Sequence, residues 1–82
     1  MGSGKLNNIV GSRVRQARQR RKPPLTQLRL CRQLAKCGAP IDRASISKIE
    51  IGMRFVLDYE VVALAKVLGV SVGWLLGEKG KS

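Results

Sequence analysis

Apolar positions along the chain recur with a helical period, and turn residues cut that pattern into five pieces. The first runs from about Asn8 to Arg21. It places Ile9, Val10, Val14 and Ala17 on one stripe and Arg13, Arg15, Arg20 and Arg21 mostly off it. Pro23-Pro24 ends this helix, because a proline disfavours helical geometry in the residue before it, here Lys22. Thr26 suits the N-cap of a second helix, with Leu25 as a hydrophobic staple. Leu30, Cys31, Leu34 and Ala35 recur on its inward face, and Gly38 and Pro40 end it. Asp42 caps a third helix that turns Ile46 and Ile49 to the core and Arg43, Ser47 and Lys48 away from it; Gly52 closes it. Asp58 is the expected cap of a fourth helix, with Val61, Leu64, Ala65 and Leu68 inward and Gly69 at its end. Ser71 caps a last short helix holding Trp74, Leu75 and Leu76, terminated by Gly77. No Val/Ile/Thr run alternates with period two, so strands are not expected. The pattern predicts a compact all-α domain over residues 8–77. Residues 1–7 are expected to be a disordered N-terminus or a cloning scar, and residues 78–82 a flexible tail.

Composition agrees with a single globular domain. Apolar residues make up 44% of the 82, near the globular average, although a chain this short builds only a thin core. Phe55, Tyr59 and Trp74 are the aromatic residues expected to fill it. The longest uncharged stretch, Val67 to Gly77, is far shorter than the roughly 20 residues of a membrane span. Cys31 and Cys37 are too few for a disulfide framework and match no zinc spacing. Cys31 reads as a small buried hydrophobe, and Cys37, nearer the turn, as exposed. With no His and five carboxylates, neither a metal site nor an acid–base constellation is easily assembled. A cytoplasmic protein that is not an enzyme and needs no cofactor or metal is expected.

Charge sharpens the picture. Residues 1–54 hold thirteen Lys and Arg against Asp42 and Glu50, a net +11, while residues 55–82 are balanced. A field concentrated in this way is the footprint of a polyanion binder. Within the basic part, the second and third helices and the Gly-containing turn between them are the ingredients of a helix-turn-helix. Ile46 and Ile49 anchor the third helix, and Arg43, Ala44, Ser47 and Lys48 form its reading face.

Here the chain resembles the phage Cro and repressor type of helix-turn-helix, the XRE family. The resemblance is carried by Val14-Arg15-Gln16-Ala17-Arg18, Leu25-Thr26-Gln27 and Ile46-Ser47-Lys48-Ile49-Glu50-Ile51-Gly52. It continues through Ala63-Leu64-Ala65-Lys66-Val67-Leu68-Gly69-Val70-Ser71 and Trp74-Leu75-Leu76. It implies a five-helix lambda-repressor-like fold in a bacterial or phage-encoded protein. It further implies that Arg43, Ala44 and Lys48 meet base edges, where arginine and lysine reach guanine O6 and N7 and alanine a thymine methyl. Gln27, which would also brace the reading helix, and Arg54 would contact phosphates, joined by Thr26, Arg29 and Arg13 beside the motif. Arg18 would pair with Glu50 as scaffold. Gln27 to Arg43 is about five residues longer than the shortest versions of the motif, so the helix 2–turn–helix 3 segment is extended.

The expected function is that of a sequence-specific double-stranded DNA-binding transcriptional regulator, most simply a repressor, acting as a homodimer on a palindromic operator. The alternatives are a DNA-binding arm of a larger assembly, such as an antitoxin or a truncated multidomain regulator, and a non-specific RNA or polyanion binder. Val70, Val72 and Trp74 are read as core closure, with a dimer contact as the alternative.

Overall fold

Five helices follow one another in a computed structural model of the chain, in which residues 6–78 are described. They are α1 (Gly11–Arg20), α2 (Gln27–Lys36), α3 (Arg43–Glu50), α4 (Asp58–Leu68) and α5 (Val72–Leu75), with no strand among the described residues. None is long and apolar enough to cross a membrane. α1 packs on α3, α4 and α5, and α2 packs on α3 and α4. Leu30, Leu34, Ile46, Ile49, Leu64, Leu75 and Val14 are the largest fully buried side chains, so every helix contributes to one core.

Side-chain caps set three of the helix starts. Thr26 Oγ1 accepts from the Arg29 amide at 3.1 Å, Asp42 Oδ1 from Ser45 at 2.7 Å and Ser71 Oγ from Trp74 at 3.0 Å. Each satisfies an otherwise unpaired N–H and contributes about 1 kcal/mol. The Ser45 amide bond also holds the Asp42 carboxyl below the usual carboxylate range.

The other starts differ from the sequence expectation. α1 begins at Gly11 rather than Asn8, because the Asn8 side chain lies outside the helix. Its Oδ1 accepts from the Gly11 amide at 2.8 Å, while its Nδ2 donates to the carbonyls of Ile49 and Arg54. Those bonds bring the entry of α1 against the exit of α3, and Ile9, expected inward, is left exposed. Gly11 is buried at the crossing, where a Cβ would overlap the Ile49 carbonyl oxygen. At α4 the N-cap is Leu57, and Asp58 is already the first helical residue. Glu60 reaches back to accept from the Leu57 amide at 3.0 Å, one half of a capping box.

Further expectations need correction. Ala35 is exposed, and Cys31 is only partly buried, though packed against the core. Burial raises the Cys31 thiol above its ordinary pKa and keeps it protonated. Cys37 is exposed, as its place near the turn suggested. Phe55 and Tyr59 are exposed, leaving Trp74 as the core's aromatic residue; Leu76 is exposed as well. Val70 packs against the core, whereas Val72 is on the surface. At the N-terminus, Leu6 and Asn7 are held in place: the Asn7 amide donates to the Gly52 carbonyl at 2.8 Å and its side chain to the Met53 carbonyl at 2.7 Å. Glu78, expected in the flexible tail, donates its amide to the Gly73 carbonyl at 2.9 Å. Residues 1–5 and 79–82, the remainder of the two terminal segments, lie outside the described residues.

Candidate nucleic-acid interface

The extra length between Gln27 and Arg43 divides between a ten-residue α2 and the linker 37–42. Ala39 and Ile41 of that linker are buried, so it is pinned to the core on both sides of Pro40. Beyond it, Asp42 starts α3, with Ile46 and Ile49 fully buried beneath and Arg43, Ala44, Ser47 and Lys48 all exposed above. The four residues assigned to the reading face therefore share the outer side of α3.

Behind them lies a connected set of polar contacts. Arg18 of α1 grips Glu50 at the end of α3 through two hydrogen bonds, Nε to Oε2 at 2.8 Å and Nη2 to Oε1 at 2.9 Å. Its third nitrogen donates to the Leu25 carbonyl at 3.1 Å, just ahead of α2. Gln27 donates to the same carboxylate at 3.2 Å, and its own carbonyl accepts from the Ser47 hydroxyl at 3.5 Å. One carboxylate with 4% side-chain exposure thus ties α1, α2 and α3 together. Forked guanidinium–carboxylate bonds fix orientation as well as distance, so the angle of α3 against α2 is set from its C-terminal end. Gln27, expected both at a phosphate and as a brace of the reading helix, spends its side chain on the bracing.

Two shallow hollows flank α3. Thr26, Gln27, Leu28, Arg18 and Arg43 line one; Arg15, Gln27, Ser47 and Ile51 border the other. Arg43, Thr26 and Gln27 are thereby brought to one concavity. Arg29 stands apart from it, in a third hollow on α2 with Arg32, Gln33 and Lys36. Arg15 belongs to the basic stretch from Arg13 to Lys22, for which phosphate contact is the expected role. Arg32 and Lys36 were not among the expected site residues, although Arg29, Arg32 and Lys36 share one helical face.

Arg13 and Arg54 are placed elsewhere. Arg13 donates to the carbonyls of Trp74 and Glu78 and lies over the Trp74 ring, 4.8 Å from its centroid; Arg20 approaches the same ring at 5.0 Å. Arg54 holds Glu60 through two bonds of 3.0 and 3.1 Å and donates to the Phe55 carbonyl. The Arg54 hydrogen bonds lower the Glu60 carboxyl below its ordinary range, although burial works against that shift. Both arginines, expected at the DNA backbone, are engaged within the fold.

No family model matches the chain, and no curated protein or solved structure is significantly similar to it.

The arrangement offers hydrogen-bond donors and one methyl group. Arg43 presents a planar fork of N–H groups, Lys48 an ammonium, Ser47 a hydroxyl and Ala44 a methyl, all on one rigid helix. No group of three or more His, Cys, Asp or Glu suited to a metal occurs among the described residues. Such a surface can bind an extended anion and discriminate among hydrogen-bonding edges.

Proposed function

We propose that the protein binds double-stranded DNA sequence-specifically, with α3 in the major groove, and regulates transcription as a lambda-repressor-like domain of the XRE type. The observation that carries this reading is the bracing of α2 and α3 by the Arg18–Glu50–Gln27–Ser47 contacts, with Arg43, Ala44, Ser47 and Lys48 exposed above them. A helix that reads base edges must be held rigidly while one of its faces stays open. The net +11 supplies attraction to phosphate that is independent of sequence. Arg29 and Thr26 at the start of α2 join Arg15 as the backbone contacts of this reading, and Arg43 and Lys48 are its base contacts. Blocking a promoter is the simplest regulatory action for a chain that offers these contacts.

Fluorescence anisotropy with matched duplex DNA, single-stranded DNA and duplex RNA at near-physiological salt tests the polymer class. Preference for duplex DNA is expected. Equal binding to all three would replace this reading with a general polyanion binder.

A further inference from the structure

The hollow on α2 lined by Arg29, Arg32, Gln33 and Lys36 is separate from the α3 surface. The two hollows that flank α3 draw Thr26, Gln27 and Leu28 from the start of α2 and none of these four. Helical geometry explains the separation. Leu30 and Leu34 are fully buried, and Gln27 is turned to Glu50 and Ser47. At about 3.6 residues per turn, Arg32 and Lys36 project from the opposite side of the helix, and both are exposed. Among the described residues no carboxylate pairs with Arg29, Arg32 or Lys36; Glu50 is held by Arg18 and Glu60 by Arg54. The positive charge of this face is therefore uncompensated. A protein that contacts one duplex gathers its cations on one face, whereas this chain carries a second set away from Arg15, Arg43 and Lys48.

We propose that Arg32 and Lys36, with Gln33 between them, hold the phosphate backbone of a second duplex DNA segment while α3 occupies a first, so that one chain bridges the two. The first segment is the duplex of the DNA reading, on which this inference rests, and Arg29, nearest the start of α2, stays with it. Spacing and composition name the ligand. Arg32 and Lys36 lie four residues apart, about 6 Å along the helix, while each strand of a duplex carries a charge about every 3.4 Å of its axis. The pair thus spans neighbouring phosphates of one strand. The guanidinium of Arg32 suits forked bonds to phosphate, and the Gln33 amide adds a donor for the same oxygens.

Other occupants lack what they need here. Among the described residues only these four polar side chains line the hollow, so it has no apolar centre of the kind protein partners use. Nor does it hold an aromatic side chain on which unpaired bases would stack. A backbone bound by charge and hydrogen bonds alone is that of a duplex. Such contacts carry no sequence information, and the second segment is taken up whatever its sequence.

Bridging is measured directly by capture. A duplex fixed to beads is loaded with the full chain, washed, and offered a fluorescent duplex of the same or of unrelated sequence. Both are expected to be retained equally at low salt. Two phosphate contacts give a salt slope of about −1.8, so the affinity for the second duplex should fall about tenfold between about 50 and 200 mM salt. Arg32→Gln with Lys36→Gln is expected to lower capture by about tenfold or more, while binding of the first duplex, its base preference and the thermal melt stay unchanged. Absence of capture by the parent chain overturns the proposal, as does capture that the double substitution leaves intact. Capture restricted to a second duplex of the same sequence also overturns it, because another α3 then does the bridging. The two readings fail separately. Capture lost on substitution beside an unselective α3 overturns the sequence-specific reading alone; a selective α3 without capture overturns the bridging alone.

Discussion

Replacing Arg18 with alanine tests the bracing at its centre. The substitution removes two hydrogen bonds to Glu50, at 2.8 and 2.9 Å, and the 3.1 Å bond to the Leu25 carbonyl. Glu50 keeps only the Gln27 amide at 3.2 Å, with its side chain 4% exposed. Leaving a buried charge without its partner costs about 3–5 kcal/mol. Arg18 itself is 12% exposed, so water can reach part of the vacated space, and about 3 kcal/mol is the expected loss. A domain of this size holds roughly 4–12 kcal/mol in all, and each lost kcal/mol lowers Tm by about 4–8 °C. Arg18→Ala should therefore melt about 12–24 °C below the parent. Urea unfolding followed by circular dichroism gives the free energy directly. The double variant Arg18→Ala with Glu50→Ala should lose less than the sum of the two single variants, because the orphaned charge is then gone as well. Additive losses, or a cost for Arg18→Ala below about 1 kcal/mol, would show that the pair is not the brace described here.

Three further outcomes follow from the structure. Gly11→Ala should destabilise by about 1–3 kcal/mol, because the added methyl meets a backbone carbonyl that cannot rotate away; a neutral urea midpoint would mean that α1 and α3 separate freely. Glu60 and Asp42 both have lowered carboxyl pKa values in the fold, so the unfolded chain binds more protons as pH falls. Their stabilisation is complete above the ordinary carboxylate range near pH 4 and is lost as pH drops through the lowered folded values. Urea midpoints across that range should fall, and Arg54→Gln should flatten the fall; an unchanged slope would refute the role given to the Arg54–Glu60 pair. On the proposed function, Arg43→Ala should cost about 1–3 kcal/mol on the preferred duplex and relax one base position. Equal loss on every sequence, measured by competition binding, would make Arg43 a phosphate contact.

Much of the fold was legible because its signals are local. Thr26, Asp42 and Ser71 each cap the helix that follows, and Ile46 and Ile49 have no alternative inward partner on α3. What escaped depends on residues distant in the chain. Asn8 leaves α1 to bond carbonyls 41 and 46 positions away, and that displacement turns Ile9 outward. Gly11 gives no sign in sequence that another helix presses against it. Asp58 is a better cap than Leu57 by residue type, but Glu60, oriented by Arg54, satisfies the Leu57 amide instead. At the candidate site, the outer face of α3 followed from periodicity. That Arg13 and Arg54 are engaged elsewhere did not, because charge alone does not distinguish an arginine facing solvent from one stacked on Trp74 or locked to Glu60.

The central claim is that α3 reads base sequence. Selection of binders from a random duplex DNA pool at near-physiological salt tests it most directly. The account predicts enrichment of a palindrome whose half-sites lie about one helical turn, roughly 34 Å, apart. Retention of duplexes without enrichment of any sequence would contradict it and leave only the attraction of a +11 chain for phosphate.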